Sequence, residues 1–168
     1  MKNYILIFLC VVMINGAAQP IGANQLANTK AVVVYMPSHY KEKGVIFDKD
    51  YIIGIDMVNL KHRYTPTIDD VTKTEEIFNN KYNELQGKNV DVKKFFRCWV
   101  RQYVGLTDSS GNRNIIVQLI ENKKPQKINK LLGKNWETDF VIYFSDPHPS
   151  LGILFRINID TGQMTTQL

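Results

Sequence analysis

The sequence predicts an α+β fold in which one long helix packs on an antiparallel meander sheet of four or more strands. Residues 67–87 show helical periodicity with a single apolar stripe, which needs a sheet or a partner to cover it. The second half of the chain alternates apolar and polar residues, a pattern typical of strands with one buried face. The 168 residues are 44% hydrophobic and 22% charged, as in an ordinary globular domain. We therefore expect one domain over residues 31–168.

Residues 1–18 have the three-part pattern of a cleaved signal peptide. Lys2 precedes an apolar run from Tyr4 to Ile14, and small residues stand just before Gln19. The run is shorter than the roughly 20 residues that span a bilayer as a helix. We expect a secreted or periplasmic protein with no stable membrane insertion after cleavage, and a flexible leader at residues 19–30.

A strand and a hairpin are predicted before the helix. The β-branched run Ala31–Met36 ends at Pro37 and is typical of a strand. Two further apolar runs, Val45–Phe47 and Tyr51–Ile55, flank a polar turn and predict a hairpin.

The helix has clear start and stop signals. Thr67 is placed to cap the first turn after Pro66, and Gly87 is placed to end the helix. The predicted buried stripe consists of Ile68, Val71, Phe78, Tyr82 and Leu85. The acidic side chains predicted to lie on the helix surface are Asp69, Asp70, Glu75 and Glu76.

The rest of the chain predicts two hairpins. The first joins strands Phe95–Leu106 and Asn114–Glu121 through a turn at Asp108–Asn112. The second joins strands at 139–145 and 151–159, because the two prolines between them cannot continue a ladder. A short helix near residues 128–132 and an edge strand at 163–168 complete the prediction.

The motifs of several enzyme classes are missing from the sequence. It contains no G-x-S-x-G elbow and no glycine-rich phosphate loop. His39, His62 and His148 lack the close spacing of zinc ligands. We assign no catalytic residue, metal or cofactor. The formal charge of +5 is modest and scattered, so no nucleic-acid partner is expected. Cys98 is predicted on the apolar face of its strand.

The best candidate site is a stripe on the strand that follows the helix. Arg97, Trp99, Arg101 and Tyr103 share the face opposite Cys98. Alternating cations and aromatic rings bind sugars, bases or peptides by stacking, but they also pack along half-exposed sheets. Both interpretations stay open, as they do for Trp136, the second candidate anchor.

Three functions are compatible with these observations. The first is a non-catalytic binding protein whose partner is a protein, peptide or glycan of the cell envelope. The second is a protease-inhibitor-like protein that acts through the hairpin loops at 107–113 or 146–150. The third is a hydrolase with a site of dispersed residues, which would need a pocket of convergent polar groups.

Several motifs resemble a group of uncharacterised small secreted bacterial proteins. These proteins have an R-Q-Y-x-G strand, found here at Arg101–Gly105, and a D-x-x-G-x turn, found here at Asp108–Asn112. A Y-T-P-T helix start corresponds to Tyr64–Thr67, and a later tryptophan-led strand to Trp136. The resemblance implies no activity.

The order of elements is also similar to a cystatin-like roll. Cystatins inhibit cysteine proteases through a Q-x-V-x-G loop and a Pro-Trp loop. The nearest string here, Gln102–Gly105, lacks the residue between valine and glycine, and the chain has no Pro-Trp pair. The resemblance therefore implies the architecture and not the inhibitory motif.

Overall fold

Among the residues that the computed structural model describes, a mixed sheet of seven strands is the framework of the protein. The structure describes residues 31–53, 60–122 and 152–166, together with residues 124, 126, 129, 135, 139 and 140. The elements are β1 (Ala31–Tyr35), β2 (Lys43–Phe47), β3 (Leu60–Tyr64), α1 (Ile68–Gln86), α2 (Val92–Phe95), β4 (Trp99–Asp108), β5 (Arg113–Glu121), β6 (Gly152–Asn158) and β7 (Met164–Thr166). The α+β class is confirmed.

The strands follow the order β1-β2-β4-β5-β6-β7, with β3 also paired to β4. Strand β2 runs parallel to β4 and places Gly44 opposite Arg101. Strand β3 is antiparallel to the second half of β4 and places Tyr64 opposite Gly105. The predicted simple meander is not confirmed, because a parallel strand from the N-terminal region lies beside β4.

The predicted hairpin between Val45–Phe47 and Tyr51–Ile55 is wrong over its described part. Strand β2 forms its hairpin with β1, where Val33 pairs with Val45. The segment after β2 is held by a side chain instead, because the guanidinium of Arg63 donates to the carbonyls of Tyr51 and Asp48 at 2.9 Å each. Residues 54 and 55 lie outside the described residues.

The predicted limits of the helix are confirmed. Thr67 accepts a hydrogen bond from the backbone of Asp70, whose side chain accepts one from the backbone of Thr67, so the two form a capping box. Gly87 ends the helix in the left-handed conformation, with φ of 59°. At the ends of the predicted stripe, Ile68 and Leu85 are exposed.

Both faces of the sheet are covered. Helix α1 packs on one face over an aromatic cluster in which Phe78, Tyr82 and Phe155 contact Phe96 or one another, and Phe96 also contacts Trp99. The opposite face holds a second cluster that includes Phe47, Val104, Leu106 and Ile116. Strands β4 and β5 are therefore buried on both sides. Within the described residues, no helix has the length and apolarity needed to cross a membrane.

The hairpin of β4 and β5 is confirmed, but β4 begins later than predicted. Asp91 caps the short helix α2, and a turn at residues 96–98 separates this helix from the strand. Cys98 is half-buried in that turn rather than in the strand. Strands β6 and β7 match the predicted runs closely. Of the predicted strand at 139–145, only residues 139 and 140 are described, and neither is in a strand; the turn at 146–150 and the helix near 128–132 lie largely or wholly outside the described residues.

Candidate functional site

The candidate residues on β4 do not form an exposed stripe. Trp99 is 5% exposed, Arg101 is 1% exposed and Tyr103 is fully buried, whereas Arg97 is exposed. Trp136 lies outside the described residues. The stripe is buried because α1 packs on the face that carries these rings, and the opposite face of β4 is covered as well. The packing interpretation therefore holds for three of the four residues.

Arg101 and Tyr103 instead belong to a buried polar cluster with Glu75 of α1 and Tyr40, all at most 2% exposed. The Tyr103 hydroxyl donates to Glu75 Oε1 at 2.8 Å, and Arg101 Nε lies 3.5 Å from the same oxygen. The Tyr40 ring stacks 4.2 Å from the Arg101 guanidinium. The cluster thus joins α1, β4 and the loop after β1.

Burial is the main influence on the two tyrosines of this cluster. It raises the pKa of Tyr40 to about 12, since the phenolate would lose its hydration. Burial, followed by the nearby Glu75 carboxylate, raises the pKa of Tyr103 well above its ordinary value. Both phenols are therefore neutral hydrogen-bonding groups at physiological pH.

Glu75 was predicted on the helix surface and is 1% exposed, so that prediction is wrong. Its spacing from Val71, Phe78 and Tyr82 places it on the apolar face of α1, and this spacing was a usable signal in the sequence. Asp70 is also buried, because it completes the capping box and pairs with Arg113 at 2.8 Å.

A cationic groove lies beside this cluster, with a volume of about 490 Å³. We use the name for the groove between the loop 37–41 and the segment 91–97. Among the described residues, its charged lining consists of Lys41, Lys93, Lys94, Arg97 and one carboxylate, Asp91; the other lining residues are Pro37, Ser38, His39 and Tyr40. Arg97 is the one member of the predicted stripe that contributes to an open surface.

Two hydrogen bonds hold the walls of the cationic groove together. The backbone N–H of Lys41 donates to the carbonyl of Arg97 at 3.0 Å. The ammonium of Lys93 reaches the carbonyl of Ser38 at 3.5 Å. Asp91 is occupied as the cap of α2, where its Oδ1 accepts from Lys94 N at 3.1 Å. The positive charge of the groove is therefore largely uncompensated within its lining.

The groove also contains a serine and a histidine in contact. Ser38 Oγ lies 2.9 Å from His39 Nδ1. A nucleophile of this kind needs a carboxylate or carbonyl that orients the imidazole. Within the described part of the chain, no such group hydrogen-bonds to the second nitrogen of His39. The pair alone does not form a catalytic arrangement.

The turn at Asp108–Asn112, which the inhibitor hypothesis uses, is tightly bonded. Asp108 accepts from the backbone N–H groups of Ser110 and Asn112 at 2.9 and 3.0 Å. Burial tends to raise the pKa of the Asp108 carboxyl, but hydrogen bonds from Asn112, Ser110 and Asn114 together lower it below its ordinary value. The loop is hydrogen-bonded internally and exposed at its tip, and its role as an inhibitory loop stays a prediction.

No family model, no curated protein and no solved structure matches this chain. The resemblances to small secreted bacterial proteins and to cystatins therefore stay predictions. Among the described residues, no three His, Cys, Asp or Glu side chains come together as metal ligands.

Proposed function

We propose that the protein is a non-catalytic binding protein of the cell envelope or the extracellular space, and that its cationic groove binds an acidic peptide segment of a partner protein. The observation that carries the proposal is the concentration of cations on both walls of one groove. Lys41 lies on one wall, and Lys93, Lys94 and Arg97 lie on the other. A segment between the walls can meet cations on both sides, which favours a chain of carboxylates over a single anion.

The apolar lining supports a peptide rather than a bare ion. Pro37 lines the groove between the cations, and the stems of the lysines add methylene surface. Phe95 stands next to the groove on α2 with 47% of its surface exposed. Arginine and exposed aromatic rings together are typical of protein-binding hot spots. Secretion, which rests on the signal-peptide pattern, remains part of the proposal.

The proposal is tested with a fluorescein-labelled hexaglutamate peptide and a hexaglutamine peptide of the same length. We expect the purified protein to bind the first in fluorescence anisotropy and not the second. Binding should weaken in about 1 M salt, where the screening length falls to about 3 Å. The variant Lys94→Gln/Arg97→Gln should weaken binding about five- to thirtyfold, since each exposed charge pair contributes roughly 0.5–1 kcal/mol.

A matched control removes two positive charges elsewhere. Lys73 and Lys81 are exposed on α1 and lie outside the groove. The variant Lys73→Gln/Lys81→Gln has the same net charge as the groove variant and should bind the peptide with nearly wild-type affinity. Equal losses in both variants would show attraction by net charge alone and would overturn the assignment of the groove.

A further inference from the structure

A second cleft, distinct from the cationic groove, opens on the other face of the sheet where β4–β5 and β6–β7 turn. It has a volume of about 270 Å³. We call it the amide cleft, because half of its described lining residues carry side-chain amides. All the described lining residues are polar: Asp108, Asn112, Asn114, Arg156, Asn158, Thr161, Gln163 and Thr165. We propose that the amide cleft binds a neutral polyhydroxyl ligand of about one sugar ring.

The lining of the cleft is held in place before any ligand arrives. Asn114 is fully buried; its Nδ2 donates to the carbonyl of Asn112 at 2.9 Å, and its Oδ1 accepts from Arg156 Nε at 3.0 Å. Asn158 Oδ1 accepts from the backbone N–H groups of Asp160 and Thr161. These bonds fix the amides on two strands, which reduces the ordering cost of binding.

Unused hydrogen-bonding groups remain after this internal bonding. Within the described part of the chain, the terminal nitrogens of Arg156, the Nδ2 of Asn158 and the hydroxyl of Thr165 have no hydrogen-bond partner. Arg156 and Thr165 are paired across β6 and β7, so their side chains stand on the same face of the sheet. The cleft therefore offers several donors within a small space.

Charge balance distinguishes this cleft from the cationic groove. Among the described residues that line it, Arg156 and Asp108 are the charged ones, and their charges cancel. Amides and hydroxyls both donate and accept hydrogen bonds, and so does every hydroxyl of a sugar. A free anion would meet the negative charge of Asp108, whereas a neutral polyol can accept from Arg156 and the Asn158 amide and donate to the Thr165 hydroxyl. The chemistry favours the polyol.

The test follows the backbone and side-chain amide signals by ¹H–¹⁵N NMR during titration. The probes are glucose, galactose, mannose, ribose and N-acetylglucosamine, with inorganic phosphate as the anionic probe. We expect saturable shifts of the Asn114 and Asn158 side-chain amides with at least one sugar. In the nearly isosteric variant Thr165→Val the Kd for that sugar should rise roughly fivefold, as expected for one lost hydrogen bond.

The variant Arg97→Gln, which changes the cationic groove, is the control and should leave the sugar titration unchanged. Arg156→Gln should abolish the shifts, and its unfolding midpoint shows whether the fold is retained. Saturable shifts with phosphate alone, or no saturable shift with any of the five sugars, would overturn the proposal. Shifts that persist unchanged in Thr165→Val would overturn the assignment of the cleft.

Discussion

Replacement of the buried ion pair of Glu75 and Arg101 should cost far less when both residues are changed than when one is. Each side chain is 1% exposed, so removal of one partner leaves the other charge buried without its counterion. Losses of this kind are about 3–5 kcal/mol. We therefore expect Glu75→Leu and Arg101→Met each to lower the free energy of unfolding by about that amount.

The double variant Glu75→Leu/Arg101→Met removes both charges at once. Its cost comes mainly from the lost hydrogen bonds of Arg101 to the carbonyls of Phe96 and Trp99, about 1 kcal/mol each. Tyr103 keeps Tyr40 as a hydrogen-bond partner at 3.1 Å. We expect a total loss of about 2–4 kcal/mol against a sum of about 6–10 for the single variants, hence a coupling of at least about 2 kcal/mol.

The assay is urea unfolding of the four proteins, followed by tryptophan fluorescence and circular dichroism. The exposed pair Lys81 and Glu84, 2.9 Å apart, provides the control cycle through Lys81→Met and Glu84→Leu. Its coupling should not exceed about 0.5 kcal/mol. If the Glu75 and Arg101 variants are additive within about 0.5 kcal/mol, the two charges do not depend on each other and the reasoning is refuted.

Three further predictions concern packing and pH. Gly44→Ala should cost about 1–3 kcal/mol in urea unfolding, because the added Cβ would overlap the Tyr40 hydroxyl and lie 2.9 Å from Tyr103; an unchanged midpoint would contradict this close approach. The raised pKa of Tyr40, about 12, implies stability that is complete below pH 10 and is lost as pH rises toward 12, measured by circular dichroism and by the difference in absorbance at 295 nm between the wild type and Tyr40→Phe; a difference that develops near pH 10 with the fold intact would contradict it. Hydrogen bonds from Arg113 lower the pKa of the Asp160 carboxyl, so its contribution to stability is present above the unfolded carboxyl value of about 3.9 and is lost as pH falls below that value. Asp160→Asn should therefore reduce the difference in unfolding free energy between pH 7 and pH 3, measured with urea, by less than about 1 kcal/mol. An unaltered difference would contradict this contribution.

Local signals in the sequence predicted local structure well. The caps of α1 depend on residues within three positions of one another, and the turn of the β4–β5 hairpin depends on Asp108 and its neighbours. Strand β3 was missed because its sequence, LKHRY, has no apolar run. It pairs with β4 through backbone hydrogen bonds, and its Arg63 donates to the carbonyls of Tyr51 and Asp48. The parallel contact of β2 with β4 joins residues about sixty positions apart, which no local pattern reports.

Contacts between residues far apart in the sequence also limit what could be predicted of the candidate site. Alternation along β4 shows that its two faces differ, but it does not show that both are covered. The cationic groove combines residues 37–41 with residues 91–97. The short helix α2 that shapes one wall was not predicted, and its last residue, Phe95, is where the predicted strand began. Among the residues of the groove, the sequence pattern singles out only Arg97, and it does so as part of an exposed face of β4 that the structure does not have.

Tyr40 connects the site to the core, and this connection determines how groove variants must be interpreted. Tyr40 borders the cationic groove; its buried ring covers the Arg101 guanidinium, and its hydroxyl contacts Tyr103. A change at Tyr40 therefore alters peptide binding and core stability together. Changes at Lys94 and Arg97 touch only exposed charge, so their effects on affinity report the groove itself. Peptide binding that fell in Tyr40→Phe but not in Lys94→Gln/Arg97→Gln would indicate a damaged core rather than a binding groove.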